Sequence, residues 1–488
     1  MMLHFLESVI LLLLMGCMLH LMKERKDWTF GLKTDRLDGS QGLETTVGRL
    51  GIHDIVDRSG QTSRMQGSAF YDIKHRTIQW QGKPVPISFG LPERYPLLDH
   101  HYLPLLLTSA FLILRMVELG QPALFGMLML YVIVMNGLKA DHMALADCIF
   151  VILLSFHIQA SSHPYLGVIG YLASSILIRI VIQVTRRAEW HQWLRRIAAL
   201  GILLLIGMNI LLASKINGAY NWVTIGGVQF QPSEIVKILY LFILVVPAGH
   251  HLGERGEQIL ILSMTLIGFL YAYLIRDIGL LVQLGALFMV AVLVQNHALL
   301  LSITLILLAL LVLKLLPQLS AEVAERLSGW LGGSLLSSLT AGGSFLDASN
   351  YGYQSVHAIV AFFVNGGLFG NPKLDILQNI TASHSDLVVA WLGQMNGVIL
   401  MMEVLGLEVL LLFHVLQKFK EERRQNQVFS LLGCLGIMVA VCLNVGGTFS
   451  IIPLTGVVNP ALSNGISASI SYGAMFGLAA YSDLVITT

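Results

Sequence analysis

The sequence predicts an all-α polytopic membrane protein with a small β-domain inserted after its first helix. Three observations predict it. The chain is 55% hydrophobic and only 12% charged, with a mean hydropathy of +0.72. About thirteen apolar runs approach the roughly 20 residues that a spanning helix needs. One long polar stretch, 23–100, breaks that pattern. A soluble chain carries roughly 25% charged residues. At 488 residues it would also divide into domains, each with a polar surface. The apolar excess therefore faces lipid. A net charge of +1 gives no reason to expect nucleic acid as a partner. Cys17, Cys148, Cys434 and Cys442 all sit in apolar runs and read as small core residues, not as a disulfide set or a metal site.

The runs fall near 3–22, 103–120, 123–137, 144–160, 164–184, 197–214, 233–250, 257–275, 278–296, 298–316, 386–416, 428–449 and 464–486. The first ends in Lys23-Glu24-Arg25-Lys26, with no basic start and no small-residue cleavage site. It reads as an anchor over 1–22, not a signal peptide. In 23–100, Phe70, Ile73, Ile78, Trp80, Val85, Ile87 and Phe89 fall in short stretches bounded by Gly and Pro, the mark of strands. Residues 101–194 read as extra and leading spans, and 195–488 as the membrane core.

Orientation follows from the basic residues of the loops. Segment 23–100, loop 185–196 (Arg186, Arg187, Arg195, Arg196) and loop 417–427 (Lys418, Lys420, Arg423, Arg424) are basic, and thirteen spans put all three on the cytosolic side. Loops 214–232 and 317–385 and the turn 450–463 fall outside. The N-terminus is then outside and the C-terminus inside. Loop 317–385 is far longer than a connection needs, which usually signals function.

Charges within spans are costly and need a reason. Arg115 and Glu118, three residues apart near a helix end, are expected to pair or snorkel, and Arg179 to snorkel. Glu403 and Glu408 read as buried structural hydrogen-bonders. Arg276 and Asp147 are further intramembrane or membrane-edge charges. Glu234 and Lys237 share one helix face behind Pro232. That spacing fits equally an internal ion pair and a site. Ser383, Ser385 and Asp386 precede an apolar helix, as capping residues do.

Five blocks carry a resemblance. They are Asn221-Trp222-Val223-Thr224-Ile225-Gly226-Gly227 with Gln231-Pro232-Ser233-Glu234-Ile235-Val236-Lys237; Asp277-Ile278-Gly279; Tyr353-Gln354 with Gly366-Gly367-Leu368-Phe369-Gly370; His384-Ser385-Asp386; and Asn444-Val445-Gly446, Pro453-Leu454-Thr455-Gly456 and Pro460-Ala461-Leu462-Ser463-Asn464-Gly465. In this order they resemble the SEDS family (FtsW, RodA, SpoVE) over roughly 195–486. The resemblance implies a peptidoglycan glycosyltransferase that polymerises lipid II, an undecaprenyl-pyrophosphate disaccharide-pentapeptide, at the outer face of a bacterial cytoplasmic membrane. The family's essential outer-loop aspartate maps onto Asp386, as general base for the acceptor's 4-hydroxyl. Trp222, Gln231, Ser233, Glu234, Lys237, Asp277 and His384 map onto its substrate-binding blocks, with Lys237 steadying the pyrophosphate as a point charge. A class B penicillin-binding protein is the implied partner. No cofactor is firmly implied, and a divalent cation is left open. Elongation, division and sporulation are not distinguished.

The chain also departs from the family. The block usually rich in acids is Gly393-Gln394-Met395-Asn396-Gly397, Asn221 replaces an Arg, and Ala382 replaces an acid. An inactive scaffold and a lipid II flippase are the competing readings. Within 23–100, Val47-Gly48-Arg49, Asp54-Ile55, Thr62-Ser63-Arg64-Met65-Gln66 and Trp80-Gln81-Gly82 resemble a degenerate forkhead-associated domain. That likeness implies Arg49, Ser63 and Arg64 as phosphate contacts and a phosphothreonine protein as cytosolic partner. A truncated, purely structural β-domain fits the same residues.

Overall fold

Proline and glycine punctuate the apolar runs. Pro122, Pro164 and Pro232 each open a helix, where the missing N–H costs nothing and the fixed φ suits the first turn. Gly120, at φ 65°, turns the chain between two helices. The computed structural model describes residues 2–24, seven strands between 30 and 88, and then 103–137, 145–184, 188–216, 219–225, 228–245, 253–294, 350–373, 375–380, 382–421 and 425–483.

The described chain is mostly helical. The helices are α1 (Met2–Glu24), α2 (Leu103–Leu119), α3 (Pro122–Gly137), α4 (Leu145–Ala160), α5 (Pro164–Val184), α6 (Ala188–Leu212), α7 (Pro232–Val245), α8 (Gly253–Leu274) and α9 (Ile278–Val294). They continue with α10 (Asn350–Ile359), α11 (Val388–Asn396), α12 (Val398–Glu421), α13 (Gln425–Thr448) and α14 (Ile466–Ala479). Among the described residues, five helices have the length and hydropathy to cross a bilayer, and several shorter ones are as apolar. Exposed side chains such as Val117, Leu204 and Leu211 are the apolar kind that lipid accepts. Buried Phe111, Phe150, Phe156 and Phe476 fill the interior.

Two compact units form: residues 16–103, and 1–15 with 104–488. In the first, β1 (Phe30–Leu37), β2 (Gln41–Gly48), β3 (Gly51–Asp57), β4 (Thr62–Arg64), β5 (Phe70–Asp72), β6 (Thr77–Trp80) and β7 (Lys83–Ser88) make one antiparallel sheet in the order 4-3-2-1-7-6-5. Ser63 and Arg64 lie on the edge strand β4, paired with Ile55 and Asp54. Arg49 lies outside the described residues, as does the expected span 298–316.

In the helical unit, α5 and α14 approach closely. A Cβ at Gly473 would meet the backbone of Tyr171, and one at Gly477 the backbone of Ser175. Glycines four apart let helix backbones touch in a membrane, where packing rather than hydrophobicity drives association.

Several expectations are corrected. The run 386–416 is not one helix. Gly397, at φ 98° and ψ 157°, ends α11 and starts α12. Segment 214–232 is no plain loop. It carries β9 (Ala219–Ile225) between β8 (Ala213–Ile216) and β10 (Val228–Phe230). The described end of segment 317–385 contains α10, continued by a π-helical stretch, Val360–Asn365, with Ala361 and Phe362 buried. Arg179 does not snorkel. It is buried and pairs with Asp147 on α4, beside the Tyr131 hydroxyl at 3.1 Å. Asp147 on the adjacent helix supplies the opposite charge that a buried guanidinium needs. Two expectations hold: Arg115, buried, pairs with Glu118 at 2.5 Å. Glu403 accepts from Ser8 at 2.5 Å, a buried structural hydrogen bond.

Candidate functional site

Four helices begin around one cavity of about 440 Å³. Gln231 lines it just ahead of α7, Asp277 just ahead of α9, and Gly465 and Ser467 at the start of α14. The stretch 382–386, just ahead of α11, forms another wall. Each helix N-terminus carries partial positive charge, and their convergence suits an anion. Trp222 and Asn221 of β9 line the cavity too, with Arg276.

Asp386 is partly exposed and lines this cavity. Its backbone is held firmly. Its N–H bonds to Ala382 O at 3.0 Å, and its carbonyl accepts from Asn444 Nδ2 at 2.8 Å and Thr448 Oγ1 at 3.2 Å. Neighbouring carbonyls are pinned as well. Ser463 Oγ donates to Ser385 O at 2.7 Å, and Asn464 N to His384 O at 3.0 Å. Asn444, Ser463 and Asn464, quoted as motif residues, thus fix the segment that carries the aspartate. The cap position of α11 is Leu387, with no side-chain capping bond, so Asp386 does not occupy it.

Asp277 caps α9. Its Oδ1 accepts from Leu280 N at 2.8 Å. Burial raises the Asp277 carboxyl above the usual carboxylate range, against the lowering by that backbone bond and by Lys237. Asn221 Nδ2 lies 3.5 Å from the other oxygen. His384 packs on Trp391 with ring centroids 4.4 Å apart, and its Nδ1 has no hydrogen-bond partner among the described residues. Ser467 Oγ accepts from Gln231 N at 2.9 Å and ties the starts of α7 and α14.

The cavity therefore joins Asp386, Trp222, Gln231, Asp277 and His384. Ser233, Glu234 and Lys237 do not line it. Lys237 Nζ lies 2.7 Å from Glu234 Oε2 and 3.3 Å from the Tyr472 hydroxyl, and it is 2% exposed. The expected contact of Lys237 with a pyrophosphate therefore gains no support from the cavity's lining. Tyr472 of α14 covers it, and the internal-pair reading of the spacing fits. The cation on the wall is Arg276, which is exposed, has φ 62° and lies 5.6 Å from the Tyr220 ring. Its intramembrane-edge charge was the only sequence signal for it. Thr455 and Asn464, also on the wall, were visible only as motif letters. The carboxylates on this wall are Asp277 and Asp386. The one described group with metal-ligand spacing, His4, Glu7 and Glu118, does not line the cavity.

A helical bundle with several apolar spans and a polar cavity at its helix ends defines a multi-pass membrane protein with one polar candidate site. The model of the FtsW/RodA/SpoVE family, described as cell cycle protein, matches residues 165–483. The chain belongs to that family, the SEDS proteins. A probable peptidoglycan glycosyltransferase FtsW of Enterococcus hirae is 29% identical over 299 residues, which is 57% of this chain and 72% of the relative. One from Coxiella burnetii is 25% identical over 326 residues, 63% of this chain and 82% of the relative. A solved chain, described under structural coordination of polymerization and crosslinking by a peptidoglycan synthase complex, superposes with a TM-score of 0.52. It is 21% identical and covers 69% of this chain and 96% of its own, a likeness of fold.

Proposed function

We propose that this peptidoglycan glycosyltransferase polymerises lipid II, with Asp386 as the general base. The observation that carries the proposal is Asp386 on the wall of a cavity ringed by four helix N-termini. The acceptor's 4-hydroxyl oxygen forms a bond to the donor's anomeric carbon. The bond from that carbon to the pyrophosphate oxygen breaks, and the lipid pyrophosphate leaves with the electron pair. The hydroxyl proton goes to Asp386, a task for which a positioned carboxylate is worth about 10²–10⁴ in rate. The converging helix N-termini and Arg276 are suited to the leaving pyrophosphate, whose charge grows as the bond breaks.

The membrane is bacterial and cytoplasmic, with the N-terminus outside, the C-terminus inside and the cavity on the outer side. The basic loops support this orientation. A class B penicillin-binding protein is the inferred partner for crosslinking. For the sheet of 23–100 we infer a phosphothreonine partner, supported by Ser63 and Arg64 on its edge strand. The transport alternative needs charges along a route across the bilayer. Among the buried charges, Arg115, Arg179 and Lys237 instead pair locally, with Glu118, Asp147 and Glu234.

The test is polymerisation of labelled lipid II by the purified protein, wild type against Asp386→Ala. Glycan from the wild type alone supports the assignment. Equal product from both removes Asp386 from the chemistry, and none from either points to a scaffold.

A further inference from the structure

A second polar cluster lies outside the family-matched residues, where the first turns of α1 meet the end of α2 and the starts of neither helix face the cavity. His4 and Glu7 are three residues apart and share one face of α1. His4 Nδ1 lies 3.2 Å from Glu7 Oε2 and 3.7 Å from Glu118 Oε1. One ligand atom from each of the three lies within 4.8 Å of the other two. We propose that His4, Glu7 and Glu118 bind a divalent transition-metal ion of the zinc type.

The spacing suits such an ion. Tetrahedral bonds of about 2.0–2.2 Å hold their ligand atoms roughly 3.3–3.6 Å apart, and the two measured pairs bracket that range. Imidazole with carboxylates suits zinc, cobalt or manganese better than calcium or magnesium, which take oxygen. A second observation points to a missing ligand. Glu7 is wholly buried; its Oε2 meets His4, and its Oε1 has no hydrogen-bond partner among the described residues, only the Arg115 guanidinium at ion-pair distance, 3.8 Å. A buried carboxylate oxygen left so is expensive.

The surroundings are built to orient the ligands. Arg115 Nη1 holds Glu118 by Oε2 at 2.5 Å, leaving Oε1 toward His4. Arg115 is fixed in turn by Gln159 Oε1 at 2.6 Å and Asn396 Oδ1 at 3.2 Å, and Asn396 Nδ2 donates to Gln159 at 3.0 Å. This is the outer layer of hydrogen bonds that metal ligands need. Asn396 belongs to the block that departs from the family, so the departure and the extra helix α1 meet at one cluster. Two carboxylates face one guanidinium, a setting in which a dication is welcome. The side chain of Glu118 is 19% exposed, which leaves room for an entry path and a water as fourth ligand.

The full chain, carrying a tag without histidine, is stripped with chelator, placed in nanodiscs and titrated calorimetrically with zinc chloride. One zinc ion per chain is expected, with a raised unfolding temperature. Cobalt(II) chloride should give the intense visible bands of a four-coordinate site. His4→Ala and Glu118→Gln should each weaken zinc by about 100-fold. No zinc uptake by the wild type, or uptake undiminished in both variants, overturns the proposal. Should the variants fail to fold, the wild-type cobalt spectrum decides: a pale six-coordinate spectrum overturns it.

Discussion

Replacing Lys237 with methionine separates two roles that its sequence spacing left equal. Its ammonium lies 2.7 Å from Glu234, with side-chain exposures of 3% and 9%, and Asp277 senses both charges. Removing the cation leaves Glu234 buried without its partner. Breaking a buried pair from one side costs about 3–5 kcal/mol, whereas replacing both partners by neutral groups of similar shape is nearly neutral. Lys237→Met should therefore lower stability by about that amount, and Glu234→Gln in the same chain should restore most of it. Denaturant titration of the purified protein, followed by tryptophan fluorescence, reads the loss. Lipid II polymerisation by the surviving folded fraction reads function. The double variant should recover folding and most turnover. A Lys237→Met protein that folds as well as wild type, yet turns over poorly with no rescue by Glu234→Gln, would refute the reasoning and return Lys237 to the pyrophosphate.

Two further outcomes follow from the geometry. Asp277 holds its proton more tightly folded than unfolded, because burial outweighs its hydrogen bonds. The folded state then binds more protons between the unfolded value and the raised folded one, so stability falls as pH rises through that window. Asp277→Asn keeps a capping oxygen but does not titrate. Its unfolding temperature, measured against pH, should lose that decline and gain on wild type as pH rises; parallel curves would contradict this. Gly397 joins α11 to α12 at φ 98°, and a Cβ there would press on the backbone of Leu368, Phe369 and Gly370. Gly397→Ala should cost about 1–3 kcal/mol or more, seen as a lowered unfolding temperature, and an unchanged value would show that this break relaxes freely.

Helix positions were legible because lipid imposes length and composition on each span, and Pro and Gly mark the ends. The cavity was legible in part for a different reason. Motif residues such as Gln231, Asp277 and Asp386 each precede a helix, and helix starts gather at one place. Pairings between helices were not legible. Nothing in the spacing of Asp147 and Arg179 says that α4 and α5 set them side by side, or that Tyr472 covers Lys237. Gly397 looked like one more small residue in a long apolar run, since only its positive φ reveals the break. Short strands such as β8 and β10 carry too few residues for a period-2 pattern to show. Arg276 was visible as a charge but not as part of a wall, because the rest of that wall comes from β9, the stretch ahead of α11 and the turn before α14.

The central claim is that Asp386 takes a proton from the acceptor hydroxyl. Asparagine keeps the shape of that side chain and removes only its basicity. A single-turnover time course with labelled lipid II therefore tests the claim most directly. Asp386→Asn should bind lipid II as the wild type does and form glycan at least about 100-fold more slowly. A variant that polymerises at the wild-type rate would contradict it.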